Sequence, residues 1–138
     1  MTLDVRHKSD EIRASAANSL IQQAQQIAAR RGLFARHGLL VNQKAVSMDP
    51  FLVSQIETAI RNSGCEAHRL TSGAGHDAMI LAEKIPAAMI FLRTPGGISH
   101  DPAESVKTED VAKAIECGLH LLDQLAAAPA FQKRTRRA

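Results

Sequence analysis

The sequence predicts an α/β fold, and three observations lead to this prediction. Short apolar runs such as 38–46 and 87–92 are separated by longer segments whose apolar residues recur at helical spacing. Two glycine-rich turns lie in the stretch LTSGAGHDAMILAEKIPAAMIFLRTPGGISHDPAE, residues 70–104, where α/β folds place their chemistry. The chain has no internal repeat and no low-complexity linker. The expected order is β-α-β followed by α-β-α-β-α.

The composition excludes several classes of protein. The 138 residues fit one domain or two small pieces of a larger one. Two cysteines without CxxC spacing argue against a disulfide scaffold and a structural zinc site, and they favour a reducing, cytoplasmic setting. No run approaches the length of a membrane span, and the N-terminus lacks the apolar core of a signal peptide. The net charge of +3 comes partly from a basic tail at 129–138, and no nucleic-acid-binding face is evident.

The first half of the chain predicts a β-α-β unit. Residues 2–6 alternate between apolar and polar side chains, as a short strand does. Ser9 and Asp10 then offer N-cap chemistry, and a long Ala/Gln-rich helix follows that ends near Gly32. The run 38–46 reads as the second strand. A domain boundary is most plausible near 47–49, where this unit ends.

The second half predicts three helices and two strands. Asp49 and Pro50 are typical of a helix start, and Gly64 closes that helix. Residues 65–70 and 87–92 are the predicted strands, with a helix between them that runs to about Lys84. A last helix begins near Thr108, and we expect its buried stripe to consist of apolar residues at helical spacing. These residues are Val111, Ile115, Leu119 and Leu122.

Three local motifs contain candidate functional residues. In SGAGHDA, Gly75 and His76 come just before a helix, where backbone N–H groups can hold an anion, although a tight turn needs glycine in any case. In PGGISHDPAE, His100 follows a strand and a flexible turn and could be a metal ligand, but one histidine is not a site. Arg6, at the end of the first strand, could clamp a carboxylate with its paired donors or be a solvated surface residue.

Taken together, these motifs resemble one enzyme group. TLDVRH, MDPFLV, SGAGHDA, AMIFL and GGISHDPAE occur in this order and spacing, from Thr2 to about Leu125. The sequence is therefore similar to the allantoate amidohydrolase and N-carbamoyl-L-amino-acid hydrolase group of the dinuclear-metal aminoacylase and carboxypeptidase superfamily. GISHDP in place of the commoner GISHNP or GISHSP is a minor departure.

The resemblance implies a role for each candidate residue. His100 looks like a histidine ligand of one metal of the pair, which is zinc or manganese. Arg6 looks like the arginine that grips the substrate carboxylate. Gly75 resembles the glycine whose backbone contacts the substrate, and His76 lies beside it in the wall of the active site. In the family, a metal-bound water attacks an amide or ureido carbon, with a glutamate as general base.

The resemblance also implies that the chain is a C-terminal portion of such an enzyme. Residues 1–47 would be the end of a ferredoxin-like lid or dimerisation domain, and 48–128 the second half of a zinc-peptidase-like α/β catalytic domain. The tail at 129–138 is expected to be disordered. Most metal ligands and the general base would lie elsewhere, so we expect the chain to be inactive alone.

The expected partners follow from the same resemblance. The intact enzyme would act on a small amide or ureido substrate, and this chain would form a homo-oligomer or bind its missing N-terminal half. No membrane or nucleic-acid partner is expected. The alternative is a non-catalytic, oligomeric α/β interaction module derived from that enzyme.

Overall fold

The computed structural model describes residues 1–128, which contain helices and no β-strand. The helices of the described residues are α1 (Asp10–Arg30), α2 (Pro50–Asn62), α3 (Asp77–Leu81) and α4 (Thr108–Ala127). A short 3₁₀ turn covers Pro95–Gly97. The predicted basic tail lies outside the described residues.

The α/β class predicted from the sequence is therefore not confirmed. The segments 2–6, 38–46, 65–70 and 87–92 have no ladder of backbone hydrogen bonds to a neighbouring strand within residues 1–128. The physical reason is that apolar alternation predicts an extended backbone, whereas a strand exists only when another strand pairs with it. The helical part of the predicted order is confirmed, and the sheet is not.

The chain divides into two compact units. The first holds Met1–Ser47 together with Thr71–Gly75, and the second holds Met48–Leu70 and, of the described residues, 76–128. The first unit thus consists of α1, its flanking extended segments and the first glycine-rich turn. The second unit contains the other three helices and the second glycine-rich turn.

Helix α1 begins and ends where its local chemistry predicts. The Ser9 hydroxyl accepts a hydrogen bond from the Ile12 N–H, as an N-cap does. Gly32 adopts a φ of 69° just after the helix, and the Leu33 N–H returns to the Ala28 carbonyl. A left-handed residue is needed for this closure, which explains the glycine at this position. No residue of α1 is buried, so the apolar stripe of this helix remains largely uncovered.

Helix α2 is capped at both ends by the predicted residues. The Asp49 carboxylate accepts from the Leu52 N–H at 2.9 Å, and Pro50 occupies the first turn. At the other end Gly64 has a φ of 75°, and the Cys65 N–H bonds to the Ile60 carbonyl. The boundaries of α2 are therefore determined by cap residues that the sequence identifies.

Replacing Asp49 with alanine is expected to lower the free energy of unfolding by about 1 kcal/mol, because the Leu52 N–H loses its acceptor. Urea denaturation followed by circular dichroism measures the change. Asp49→Asn is the matched control, since an asparagine oxygen can still accept this bond. A loss equal to that of alanine in the asparagine variant would show that the carboxylate charge, and not the cap, stabilises α2.

The core of the second unit lies between α2 and α4. Ile56 and Ala59 are the buried residues of α2, and Cys117 is the buried residue of α4. The buried Ser63 hydroxyl lies 2.8 Å from the Cys117 sulfur, and the Lys113 ammonium donates to the Ser63 carbonyl at 2.8 Å. A cation at the C-terminal end of α2 interacts favourably with the helix dipole. Lys113 therefore ties α4 to the end of α2.

The buried face of α4 is not the predicted one. Ile115, Leu119 and Leu122, which were predicted to be buried, are 60–64% exposed. Helix α4 is apolar on more than one face, so periodicity alone does not identify the face that meets α2. The face that packs contains Cys117, which is 4% exposed. We call Ile115, Leu119 and Leu122 the exposed stripe of α4.

The side-chain amide of Gln124, on α4, is shielded from solvent although the residue as a whole is only half-buried. Neither its amide nitrogen nor its amide oxygen has a hydrogen-bond partner within the described part of the chain. Replacing Gln124 with leucine is expected to raise the free energy of unfolding by about 1 kcal/mol, because an unsatisfied amide costs about 1–3 kcal/mol to bury. The midpoint of urea denaturation measures the gain. A loss of stability would mean that the amide has a partner when the protein is in solution.

Candidate active site

Arg6 is held by two acceptors in the first unit. Its Nε donates to both Asp4 carboxylate oxygens at 3.1 Å, and its NH2 group donates to Asp4 Oδ2 at 2.6 Å. Its NH1 group donates to the Gly73 carbonyl at 2.6 Å. The guanidinium is thus connected to the first glycine-rich turn, 67 positions further along the chain.

The Asp4–Arg6 pair is exposed but has favourable geometry. The hydrogen bond from Arg6 lowers the pKa of the Asp4 carboxyl, and the same bond raises the pKa of Arg6. Their side chains are 65% and 60% exposed, so solvent screens the attraction and its contribution to stability is small. The pair therefore determines where the guanidinium points more than how stable the protein is.

The first glycine-rich turn closes on itself. The Ser72 hydroxyl accepts from the Ala74 N–H at 3.1 Å and donates to the Ala74 carbonyl at 3.0 Å. Gly75 is exposed and belongs to the same unit as Arg6. Because Ser72 orders the turn, the Gly73 carbonyl is available as a fixed acceptor for Arg6.

His76 is the N-cap residue of α3 in the second unit. Its backbone is extended, and its ring meets the Phe91 ring edge-on with a centroid distance of 5.9 Å. Helix α3 ends at Leu81 and not near Lys84 as predicted, because Lys84 and its neighbour turn back onto the Leu81 carbonyl. A helix of five residues has a small dipole, so the anion site that the glycine turn suggested gains no support from α3.

The second glycine-rich turn places His100 in a left-handed conformation. Gly96 and Gly97 have φ values of 70° and 68°, and His100 has a φ of 58°. A residue with a Cβ adopts this region at a cost of about 1–2 kcal/mol, although histidine does so more often than most residues. Such outliers concentrate at functional sites, where surrounding contacts hold them in place.

Glu104 provides one of those contacts. Its carboxylate accepts from the His100 N–H at 2.9 Å, while the Asp101 carboxylate accepts from the Ala103 N–H at 2.8 Å. The Glu104 N–H in turn bonds to the Asp101 carbonyl. The loop 100–104 is therefore closed by its own side chains, with the His100 ring exposed at its start.

The described residues do not form a complete metal centre. A catalytic zinc needs about three protein ligands. Residues 1–128 contain no group of three or more His, Cys, Asp or Glu side chains that could hold a metal ion. The described residues therefore do not by themselves fit the dinuclear site that the family resemblance implies.

The structure assigns the four candidate residues to separate units. Arg6 and Gly75 belong to the first unit, and His76 and His100 belong to the second. Sequence reasoning missed two residues that the structure connects to them, Asp4 and Glu104. The two-residue spacing of Asp4 from Arg6 on an extended segment would have indicated the first contact, since residues i and i+2 share a face. No simple signal would have indicated the second.

The pKa values of four exposed or half-buried carboxylates predict how stability depends on pH. Hydrogen bonds lower the pKa of each: from the Arg6 side chain for Asp4, the Ala45 backbone for Asp10, the Arg69 side chain for Glu57 and the Lys113 side chain for Glu116. A depressed folded-state pKa stabilises the fold fully above the unfolded values of about 3.9 to 4.3, and this stabilisation disappears as the pH falls through the folded-state pKa.

The melting temperature should accordingly be flat from about pH 7 to pH 5 with respect to these groups and fall below about pH 4. The fall should be small and shrink in high salt, since solvent reaches each of these pairs. Thermal unfolding by circular dichroism at several pH values checks this. A melting temperature that rises between pH 5 and pH 3 would contradict it.

The chain belongs to an established hydrolase family. The family described as Peptidase family M20/M25/M40 matches residues 35–124, which is well over half of the chain. The resemblance inferred from the motifs is thereby confirmed.

The chain is also similar to individual proteins with curated names. The chain is 36% identical to an allantoate deiminase of Arabidopsis thaliana over 132 residues, which cover 90% of this chain and 25% of the relative. It is 34% identical to an N-carbamoyl-L-amino acid amidohydrolase of Geobacillus stearothermophilus over 129 residues, 90% of this chain and 30% of the relative. It is 30% identical to an allantoate amidohydrolase of Escherichia coli over 125 residues, 91% of this chain and 30% of the relative.

The matches cover most of this chain but only a small part of each relative. The chain spans 25–30% of the length of these curated relatives, whereas they match about 90% of it.

No solved structure matches the chain with significance. None of the described helices is long and apolar enough to cross a membrane.

Proposed function

We propose that this chain is part of a metal-dependent hydrolase of linear amide or ureido C–N bonds, of the allantoate or N-carbamoyl-amino-acid type, and that it is inactive alone. The observation that carries the proposal is the Arg6 guanidinium, which is exposed and tied to the carbonyl of Gly73 in the SGAGHDA turn. The names of the relatives support the substrate class, because an N-carbamoyl amino acid pairs a ureido group with a carboxylate.

In this proposal the candidate residues have the roles that the family resemblance implies. Arg6 binds the substrate carboxylate, and the Gly75 backbone contacts the substrate. His76 forms part of the active-site wall, and His100 is a single metal ligand, for zinc or manganese. Residues 1–47 are part of a lid or dimerisation domain, and 48–128 are part of a catalytic domain. The metal would supply an activated water, while this chain supplies substrate binding and orientation.

The uncovered apolar segments support the idea that further chain completes the fold. Leu39, Leu40 and Val41, in the middle of the predicted strand 38–46, are 69–83% exposed. Monomeric proteins rarely leave such runs in water. In the proposed enzyme, this segment and 87–92 pair with strands outside the chain to form the α/β sheet. The two free thiols agree with a reducing, cytoplasmic compartment.

The test is a chimera. The stretch of the Escherichia coli allantoate amidohydrolase that aligns with this chain is replaced by this chain, and ammonia release from allantoate and from N-carbamoyl amino acids is measured. We expect activity from the chimera with added manganese or zinc and none from the chain alone. The chain alone should retain fewer than about one ion after dialysis, as one histidine ligand predicts. Two tightly held ions and activity in the isolated chain would contradict the proposal that it is incomplete.

A second candidate function is supported by the exposed stripe of α4. Ile115, Leu119 and Leu122 form an apolar surface that suits a non-catalytic, oligomeric interaction module derived from the enzyme. Sedimentation velocity over a range of concentrations tests it, with Leu119→Lys as the comparison. Metal-independent self-association that Leu119→Lys abolishes would favour this candidate. A clean monomer at high concentration would exclude it.

A further inference from the structure

The segment 2–6 places a carboxylate beside the arginine that we propose to bind substrate. Asp4 and Arg6 are two positions apart on an extended segment, so their side chains leave the same face. Arg6 Nε and NH2 both donate to this carboxylate, with N–O distances of 3.1 Å and 2.6 Å. Two parallel donors on one carboxylate define the plane of the guanidinium as well as its position.

The second acceptor comes from a distant part of the chain. The Gly73 carbonyl accepts from Arg6 NH1 at 2.6 Å. The guanidinium thus has one anchor on its own segment and another on the ordered turn at Thr71–Gly75. A guanidinium held by two anchors has lost much of the rotamer freedom that a free arginine must lose when it binds a ligand.

The donor count shows that Arg6 is not fully occupied. A guanidinium has five N–H donors. Nε–H, one N–H of NH2 and one N–H of NH1 are used in the contacts with Asp4 and Gly73, which leaves one N–H on each of the two terminal nitrogens. The side chain is 60% exposed, so a ligand can reach these donors.

We propose that Asp4 is a positioning residue that, together with the Gly73 carbonyl, orients Arg6 and leaves its two remaining terminal N–H donors for a carboxylate-bearing ligand. The ligand part of this inference rests on the proposed function. Asp4 touches no substrate in this scheme and acts only through Arg6. The opposite role, in which Asp4 competes with the ligand carboxylate for Arg6, predicts the opposite effect on affinity when Asp4 is neutralised.

The orientation is tested first without any ligand. Hydrogen exchange at Arg6 Nε is measured by NMR in the full chain and in Asp4→Asn, Asp4→Glu and the control Glu66→Gln, which neutralises an exposed carboxylate near His68. We expect exchange to become about two- to fivefold faster in Asp4→Asn, the range for an exposed ion pair, and to be largely restored in Asp4→Glu. Unchanged exchange in Asp4→Asn would overturn the proposal. Circular dichroism confirms that each variant keeps its helices.

Binding is then measured in the proposed chimera with N-carbamoylglycine, and with its uncharged amide as the comparison. We expect Asp4→Asn to bind N-carbamoylglycine about two- to fivefold more weakly than the wild type, and the amide to be insensitive to the change. Tighter binding by Asp4→Asn would overturn the proposal and identify Asp4 as a competitor. An unchanged chimera that binds neither probe, while the Arg6 exchange of the full chain depends on Asp4, would contradict the proposed function and support the orienting role of Asp4.

Discussion

Replacing Ile56 with alanine is expected to lower the free energy of unfolding of the second unit by about 2–4 kcal/mol. Ile56 is 9% exposed and Ala59 is fully buried where α2 packs against α4. A domain with a small core has a low free energy of unfolding. The lost side-chain contacts and the resulting cavity therefore remove a large fraction of that free energy. Urea denaturation followed by circular dichroism at 222 nm, a general probe of helix content, measures the effect.

Ile115→Ala is the matched control, because it removes the same atoms from the exposed stripe of α4. Ile115 is 61% exposed, and surface substitutions of this kind usually change stability by less than about 0.5 kcal/mol. If Ile115→Ala cost as much as Ile56→Ala at every protein concentration, the stripe would be packed within the monomer and the observed choice of face would be wrong. If its cost grew with protein concentration, the stripe would be an interface between copies.

Replacing His100 with alanine is expected to reduce the activity of the proposed chimera by at least about 100-fold, since loss of residues that merely support metal ligands already costs about 10–100-fold. The effect should appear both as lower metal content after dialysis and as lower kcat/KM. Elemental analysis and a continuous assay of ammonia release measure the two quantities.

His120→Ala is the control for His100→Ala. His120 lies on α4, 38% exposed, with its ring 3.9 Å from the Glu116 carboxylate, and the proposal gives it no role. We expect this variant to keep the activity and metal content of the unchanged chimera. Loss of activity in both variants would indicate general damage to the second unit. Full activity in His100→Ala would remove His100 from the proposed metal site.

Glu104 holds the backbone of His100, the residue that we propose as a metal ligand, in its conformation. Its carboxylate holds the His100 N–H in the loop, where His100 has a positive φ. That contact helps to offset the cost of the left-handed conformation of His100, which is about 1–2 kcal/mol. The hydrogen bonds that side chains make within residues 100–104 thus fix the backbone position from which the exposed His100 ring extends.

Helix boundaries in this chain follow from short-range chemistry and were predicted well. Ser9, Asp49, Gly32 and Gly64 act at the ends of α1 and α2 as their residue types suggest. The reason is that a cap depends on atoms within four or five positions of the chain. Helix α3 is shorter than predicted because its apolar pattern continues past the point where the backbone turns at Leu81.

The strands and the buried face of α4 could not be predicted in the same way. A run such as 38–46 is extended by its own chemistry, but it is a strand only if a partner is present to pair with it. Helix α4 has more than one apolar face, and the one that contains Cys117 contacts Ser63 at the end of α2. Both outcomes depend on segments that are distant in sequence.

For the candidate site too, some features could be predicted from the sequence and others depend on tertiary structure. Motifs of a few residues were enough to identify the family and to select Arg6, Gly75, His76 and His100, because residue type and spacing are local properties. The anchoring of Arg6 on Gly73, 67 positions away, emerged only from the folded chain. Long-range contacts of this kind are formed by tertiary packing, and no pattern of neighbouring residues encodes them.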